Sequence, residues 1–94
     1  MTKTQIAAEL FGEPVNNAVI RLPGRAFPGV LVQGDTLASL LQIARDAERL
    51  TPKDSAPDLV EAVTELRERL EATLLWYERA LSSAGMPLPY VKVT

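Results

Sequence analysis

Residues 18–50 carry two strand signals followed by one helix signal, and they constrain the fold more than any other part of the chain. Ala18 to Leu22 is rich in β-branched residues and stops at a proline, and Gly29 to Gln33 is a second short apolar run. A glycine–aspartate pair then breaks the second run, and an amphipathic pattern continues to about Leu50. The order predicts strand, loop, strand, turn and helix.

The loop between the two predicted strands has the sequence PGRAFP, from Pro23 to Pro28. Proline has no N–H group for a strand ladder, so this segment cannot be a central strand. The two strands are therefore expected to form a hairpin whose connection is stiff and exposed.

The first helix is predicted to begin at Asp35, whose carboxylate would accept hydrogen bonds from first-turn N–H groups; Thr36 is the competing cap. A phosphate-binding turn is less well supported at this place, because the aspartate charge would repel a phosphate and no glycine-rich run or lysine follows. Apolar positions at helical spacing are expected to face the core: Leu37, Leu40, Leu41, Ala44, Ala47 and, at the end, Leu50.

A second, longer helix is predicted after the polar turn at residues 51–57, with Ser55 as its cap and Pro57 in its first turn. It should run for about 28 residues, end at Gly85 in a left-handed conformation, and overhang a small sheet. Its near-heptad stripe is expected to pack antiparallel on another helix and comprises Leu59, Val63, Leu66, Leu70, Thr73, Tyr77 and either Ala80 or Leu81.

The secondary structure of the two ends of the chain is less clearly predicted. Residues 4–11 fit either a strand or a helix, and the strand is favoured because the run is short and a Gly-Glu-Pro turn ends it. Tyr90 to Val93 is a candidate last strand. The whole pattern predicts a single α+β domain over residues 1–94, with a mainly antiparallel sheet of three or four strands covered by two antiparallel helices.

The amino-acid composition argues against an enzymatic reaction. The chain has no cysteine and no histidine, which removes thiol chemistry, the commonest general base and the commonest metal ligand. Most of its acidic residues lie at positions that would face solvent on the predicted helices. We therefore predict no enzymatic activity, no metal and no cofactor. A net charge of −2 gives no sign of nucleic-acid binding. No apolar run approaches membrane-spanning length, and a cytoplasmic protein is expected.

Four residues are candidates for binding a partner: Arg21, Arg25, Phe27 and Trp76. The two arginines either clamp a carboxylate or phosphate, or are solvated charges of which one bridges to Asp35. Phe27 is either an exposed anchor or a plug beneath the loop, and the plug is favoured. Trp76 fits an interface as well as it fits a cover for the edge of the sheet.

Two resemblances to known families stand on sequence blocks. Asn17–Ala18–Val19, Arg21–Leu22–Pro23–Gly24–Arg25, Phe27–Pro28–Gly29, Gln33–Gly34–Asp35 and Gly85–Met86–Pro87–Leu88–Pro89–Tyr90 resemble a family of short, uncharacterised bacterial proteins over nearly the whole chain. That resemblance implies no function.

The second resemblance is looser, and it is to the N-terminal domain of HicB-type antitoxins. It rests on Pro28–Gly29, Gln33–Gly34–Asp35–Thr36–Leu37, Ala44–Arg45–Asp46–Ala47 and Gly85–Met86–Pro87–Leu88–Pro89. The resemblance implies a partial ribonuclease-H-like fold that covers and neutralises a small RNA-cleaving toxin. This chain departs from the pattern by inserting the long helix around Leu59 to Ala84 and by lacking a C-terminal DNA-binding module, so operator binding is not implied.

The leading prediction is a non-catalytic protein-binding module of antitoxin or immunity type that masks a partner protein, such as a toxin. One alternative is a domain that binds a small ligand or anion through Arg21 and Arg25. Another is a subunit of a structural homo-oligomer. A homodimer formed through the second helix and the region of Trp76 is expected, and neither nucleic acid nor membrane is expected as a partner.

Overall fold

The computed structural model describes residues 3–92 and shows three short strands followed by two helices. In chain order these are β1 (Glu9–Phe11), β2 (Val19–Arg21), β3 (Gly29–Val30), α1 (Gly34–Leu50) and α2 (Pro57–Ser83). The strands form one antiparallel sheet in the order β1-β2-β3. The predicted α+β class is confirmed, with the smaller of the two expected strand counts.

The sheet is built as the sequence predicted, from strands that are shorter than expected. The end of the ambiguous first segment pairs as β1, with Leu10 opposite Ile20 of β2. β2 and β3 form the expected hairpin, and the N–H of Leu31 extends it by donating to the carbonyl of Ala18 at 2.8 Å. The Pro-rich loop between β2 and β3 stays outside the ladder, as the lack of proline N–H groups requires.

The start of α1 differs from the prediction. Gln33 is the N-cap residue, its side chain makes no capping hydrogen bond, and Gly34 is the first helical residue. Asp35 is therefore already inside the first turn, whereas a capping residue must have non-helical backbone angles. Its carboxylate accepts from the N–H of Thr36 at 2.8 Å. Both predicted caps, Asp35 and Thr36, are wrong, while the predicted end at Leu50 is confirmed.

The start of α2 also lacks the predicted cap. Ala56 is the N-cap residue, without a side-chain hydrogen bond, and Pro57 occupies the first turn as expected. Ser55 is not the cap, because it belongs to the preceding turn, where its N–H donates to the carbonyl of Pro52 at 3.1 Å.

The C-terminal end of α2 follows the prediction. Gly85 has φ = +70°, in the left-handed region that favours glycine. Its N–H donates to the carbonyl of Ser82 at 3.1 Å, and the N–H of Met86 donates to the carbonyl of Leu81 at 2.9 Å. These two bonds are the paired hydrogen bonds of a Schellman motif, which satisfies carbonyl groups that the last helical turn leaves free.

The two helices pack antiparallel, as predicted. Side chains later in α1 meet side chains earlier in α2: Arg45 bonds to Glu71 at 3.2 Å, and Glu48 bonds to Arg67 at 3.0 and 3.2 Å. Between the helices lies a small apolar cluster of buried side chains, with partly buried neighbours packed against it: Leu37, Leu41 and Leu74, then Ala38, Leu70, Tyr77 and Tyr90.

The two helices pack on each other more closely than on the sheet. Within residues 3–92 no Cα atom of a strand lies within 8 Å of a Cα atom of either helix. Strands of two or three residues offer little apolar surface, and the helices bury their central leucines against each other. The sheet therefore keeps exposed side chains on β1 and β3.

The predicted last strand is wrong for residues 90–92, which are irregular; Val93 lies outside the described residues. Tyr90 instead turns back onto the helix pair. Its ring packs on the apolar cluster, and its hydroxyl donates to Glu78 Oε2 at 2.8 Å. The C-terminal tail is thus fixed by side-chain contacts and not by strand pairing.

The helix stripes are only partly buried. On α1, Leu40, Ala47 and Leu50 were expected in the core but are exposed. On α2, Leu66 and Thr73 are exposed while Leu74 is buried. Each helix has a wide apolar arc and only one neighbouring helix, so part of each arc faces solvent.

Candidate protein-binding surface

The loop between β2 and β3 begins with a tight turn that sets the position of Arg25. The N–H of Arg25 donates to the carbonyl of Leu22 at 3.2 Å, and Gly24 between them has φ = +80°. Proline at the second position and a glycine with positive φ at the third are the residues that a type II turn requires. Pro23 and Gly24 therefore fix the backbone from which the Arg25 side chain projects.

Phe27 is the most exposed aromatic side chain in the described part of the chain, at 84% of its full accessible surface. The prediction that it plugs the core beneath the loop is wrong. A ring that plugged the core would be covered by its neighbours, and the Phe27 ring is not. The exposed-anchor alternative fits the structure.

Arg21 makes several contacts within the sheet and the loop. Its Nε donates to Glu9 Oε1 at 2.7 Å, and its guanidinium carbon lies 5.7 Å from the centre of the Phe11 ring. Its Nη1 also reaches the carbonyl of Ala26 at 3.5 Å. Arg21 therefore links β1 to the loop. Its ion pair is with Glu9, whereas the solvated-charge alternative placed one of the two arginines against Asp35.

Arg21 and Arg25 differ in their contacts. No ion pair or side-chain hydrogen bond within residues 3–92 involves Arg25. A clamp of both arginines around an anion would require Arg21 to leave its carboxylate partner. The available positive charge of this region is thus Arg25 alone.

One face of the sheet is apolar and lies next to the loop. The strand register places Phe11, Val19 and Val30 in a row across the three strands. Arg21 lies two residues from Val19 and so points to the same face. Since Arg21 also reaches the carbonyl of Ala26, the loop leans toward this face. We call the row together with Arg25 and Phe27 the sheet-and-loop surface.

Trp76 is not part of this surface. It lies on α2, it is 62% exposed, and α2 has no strand nearby. The structure thus brings together three of the four predicted site residues and leaves the fourth on the helices. Its exposure rules out the alternative in which Trp76 covers the edge of the sheet.

A groove of about 520 Å³ between the helices and the C-terminal tail was not predicted. Glu78 lines this groove, accepts a hydrogen bond from Tyr90 and pairs with Lys92 Nζ at 3.4 Å. Burial, and then the hydrogen bond to Glu78, raise the pKa of Tyr90 above its ordinary value. No local sequence pattern predicts this groove, because it depends on the tail folding back after Gly85.

Clusters of metal-ligating side chains and membrane-spanning helices are both lacking in the described residues. Within residues 3–92 no three or more acidic side chains are grouped to hold a metal ion. In the same range neither helix has a stretch that is long and apolar enough to cross a bilayer.

Comparison with known proteins gives a family and no activity. Residues 3–90 match a family of unknown function, DUF6959, and the chain belongs to that family. No curated protein and no solved structure matched the chain. The resemblance to an uncharacterised family is therefore confirmed, whereas the looser resemblance to HicB-type antitoxins has no named relative behind it and stays a prediction.

Proposed function

We propose that the protein is a non-catalytic binding module of antitoxin or immunity type that masks a partner protein with its sheet-and-loop surface. The observation that carries this proposal is Phe27, an aromatic ring 84% exposed on a loop held by prolines at both ends. An exposed phenylalanine in water is unfavourable, and it becomes favourable when a partner pocket covers it.

The loop is prepared for binding before a partner arrives. Its turn is closed by the Arg25–Leu22 hydrogen bond, and Arg21 holds its far side through Ala26. A segment that is already ordered loses little conformational entropy when it docks. Arginine and aromatic side chains are frequent energetic anchors at protein interfaces.

The partner that fits this surface has an apolar pocket for Phe27 and a carboxylate for Arg25. Phe11, at 45% exposure, and Val30, at 60%, supply apolar contact area beside the two anchors. Binding of this kind covers a partner without changing it chemically, which is the action of an antitoxin or immunity protein.

The test is affinity capture from the native host with the wild-type protein and the double variant Arg25→Ala/Phe27→Ala. Arg79→Ala is the matched control, because Arg79 is an exposed arginine on α2, away from the sheet. We expect one protein to be retained by wild type and by the control and lost with the double variant.

The captured protein is then titrated by calorimetry and assayed for its own activity. Arg25→Ala alone should weaken its binding about tenfold. The wild-type protein should inhibit its activity in proportion to occupancy. If the same proteins are captured by wild type and the double variant, with both equally folded by circular dichroism, the proposal is wrong.

A further inference from the structure

α1 carries a second apolar stripe, which is exposed to solvent. Its members recur at intervals of three, four and three residues and are all exposed: Leu40, Ile43, Ala47 and Leu50. At about 100° per residue, they lie roughly 100° to 180° around the helix from the buried Leu41. Ile43 is 63% exposed and Leu50 is 68% exposed. A stripe with this spacing is typical of a helix that packs on a further helix.

α2 has a matching stripe. Its members are also exposed: Leu59, Ala62, Leu66 and Thr73. They lie about 60° to 120° around the helix from the buried Leu74. Leu66 is 54% exposed.

The two stripes lie on the same side of the helix pair. The groove beneath the C-terminal tail is lined by Gln42 and Arg45 of α1 and by Glu71 and Leu75 of α2. On each helix these residues are displaced from the contact line in the sense opposite to the exposed stripe. The tail therefore occupies one side of the pair, and both stripes share the other side. We call them together the apolar face.

No residue of the apolar face can ionise. Electrostatic attraction therefore does not favour a charged partner for this face. A second copy of the chain supplies an equally apolar surface of the same shape. Two identical faces related by a two-fold axis cover each other completely, which is the usual geometry of homodimers.

The size of the face suits a small interface between two copies. At 1.5 Å per residue, residues 40–50 of α1 span about 17 Å and residues 59–73 of α2 about 23 Å, and each helix is about 10 Å wide, which gives a projected area of roughly 400 Å². Side chains add accessible area to this projection, and a standard interface buries about 800 Å² per partner.

The monomer also has only a small core. Within residues 3–92 only five apolar side chains are buried: Ala18, Leu37, Leu41, Ala44 and Leu74. Domains of this size are marginal unless something adds to the buried area. We infer that the apolar face binds the apolar face of a second copy, so that the two helix pairs form a four-helix bundle.

The experiment is sedimentation equilibrium from low to high micromolar concentration on wild type and two variants. The double variant Ile43→Glu/Leu66→Glu places charges on both stripes. The control Leu75→Glu places a charge on an exposed leucine of α2 that lies on the groove side. We expect wild type and Leu75→Glu to be dimers and the double variant to be a monomer with unchanged helical circular dichroism.

Two outcomes would overturn the inference: a wild-type protein that is monomeric at high micromolar concentration, or a double variant that dimerises as tightly as wild type. If the double variant unfolds, Ile43→Ala replaces it and should weaken the dimer at least tenfold. Arg25→Ala/Phe27→Ala should remain dimeric, which separates this inference from the proposed masking of a partner.

Discussion

Gly34, the first residue of α1, lies against the ring of Tyr77 on α2 so closely that a Cβ atom on Gly34 would overlap the ring atoms. Gly34 is buried, and its neighbour in space is an aromatic side chain that also packs on the leucine cluster between the helices. The absence of a side chain at residue 34 therefore lets the N-terminal turn of α1 approach α2.

We predict that Gly34→Ala lowers the free energy of unfolding by about 1–3 kcal/mol, the usual cost of forcing an extra group into a packed site. Alanine is favoured over glycine within helices by about 1 kcal/mol, so the net loss should fall near the lower end of that range. Chemical denaturation with circular dichroism measures it.

Gly29→Ala is the matched control for this prediction, since an added Cβ on Gly29 meets nothing within 4 Å. The double variant Gly34→Ala/Tyr77→Leu should recover part of the loss, because a smaller side chain makes room for the new methyl group. A Gly34→Ala protein as stable as wild type would show that the Tyr77 ring moves aside at no cost.

Local signals in the sequence predicted the order of the main elements and the C-terminal ends of both helices. The left-handed Gly85, Pro57 in the first turn of α2, and the end of α1 at Leu50 were all predicted, because each depends on backbone chemistry within a few residues. The caps were not, because Gln33 and Ala56 start helices without any capping side chain. Since no side chain caps either helix, the sequence holds no capping residue that could mark where the helix starts.

Burial was predicted less well, for a different reason. Helical periodicity shows which side of a helix is apolar, but not how much of that side a neighbour will cover. Leu40 and Leu41 both belong to the apolar arc of α1, yet Leu41 is 2% exposed and Leu40 is 42% exposed. Phe27 follows the same logic: its sequence suits a core plug, and only the structure shows that its ring is exposed.

Asp35 offers a second prediction, which replaces its expected role as a cap. Its carboxylate lies in the first turn of α1, near the positive end of the helix dipole, and within residues 3–92 it accepts only from the adjacent N–H of Thr36. Asp35→Ala should cost about 0.3–1 kcal/mol, the usual value for such a charge–dipole contact.

Salt distinguishes a charge–dipole contact from a capping hydrogen bond. Thermal melts of wild type and Asp35→Ala should differ more at low ionic strength than at high ionic strength, because salt screens an exposed charge. A difference that does not change with salt would instead indicate a local hydrogen bond as the cause.

Glu48 and Arg67 give a prediction about acid stability. Arg67 donates two hydrogen bonds from α2 to the Glu48 carboxylate on α1, at 3.0 and 3.2 Å. These hydrogen bonds are the main reason that the pKa of Glu48 lies below its ordinary value of 4.5. A carboxyl whose pKa is lower in the folded state stabilises the fold above its unfolded pKa, and this stabilisation is lost as the pH falls through the folded pKa.

Glu48→Gln should therefore melt at a lower temperature than wild type at neutral pH, and the two melting curves should converge in acid well below pH 4.5. Glu65→Gln is the control, because Glu65 pairs with Arg69 on the exposed surface of a single helix and such pairs contribute little. A Glu48→Gln deficit that persists unchanged into acid would mean that the side-chain shape matters and the charge does not.

Tyr90 gives the corresponding prediction at alkaline pH. Burial of its ring and its hydrogen bond to Glu78 both raise the pKa of Tyr90 above the ordinary value of 10.0. A group whose pKa is higher in the folded state contributes stability that is fully present below the unfolded pKa and is lost as the pH rises toward the folded pKa. Wild-type stability should thus fall as the pH passes 10, when tyrosine ionises in the unfolded chain but not in the folded one.

Tyr90→Phe keeps the ring on the leucine cluster and removes the hydroxyl. At neutral pH it should lower the free energy of unfolding by about 1–2 kcal/mol, since a hydrogen bond to a charged acceptor is lost. Above pH 10 the gap between the two proteins should narrow, because phenylalanine cannot ionise. Val91→Ala, at a residue that is 90% exposed in the same tail, should track wild type throughout. Parallel stability curves for wild type and Tyr90→Phe from pH 7 to pH 11 would show that the Tyr90 hydroxyl does not anchor the tail to Glu78.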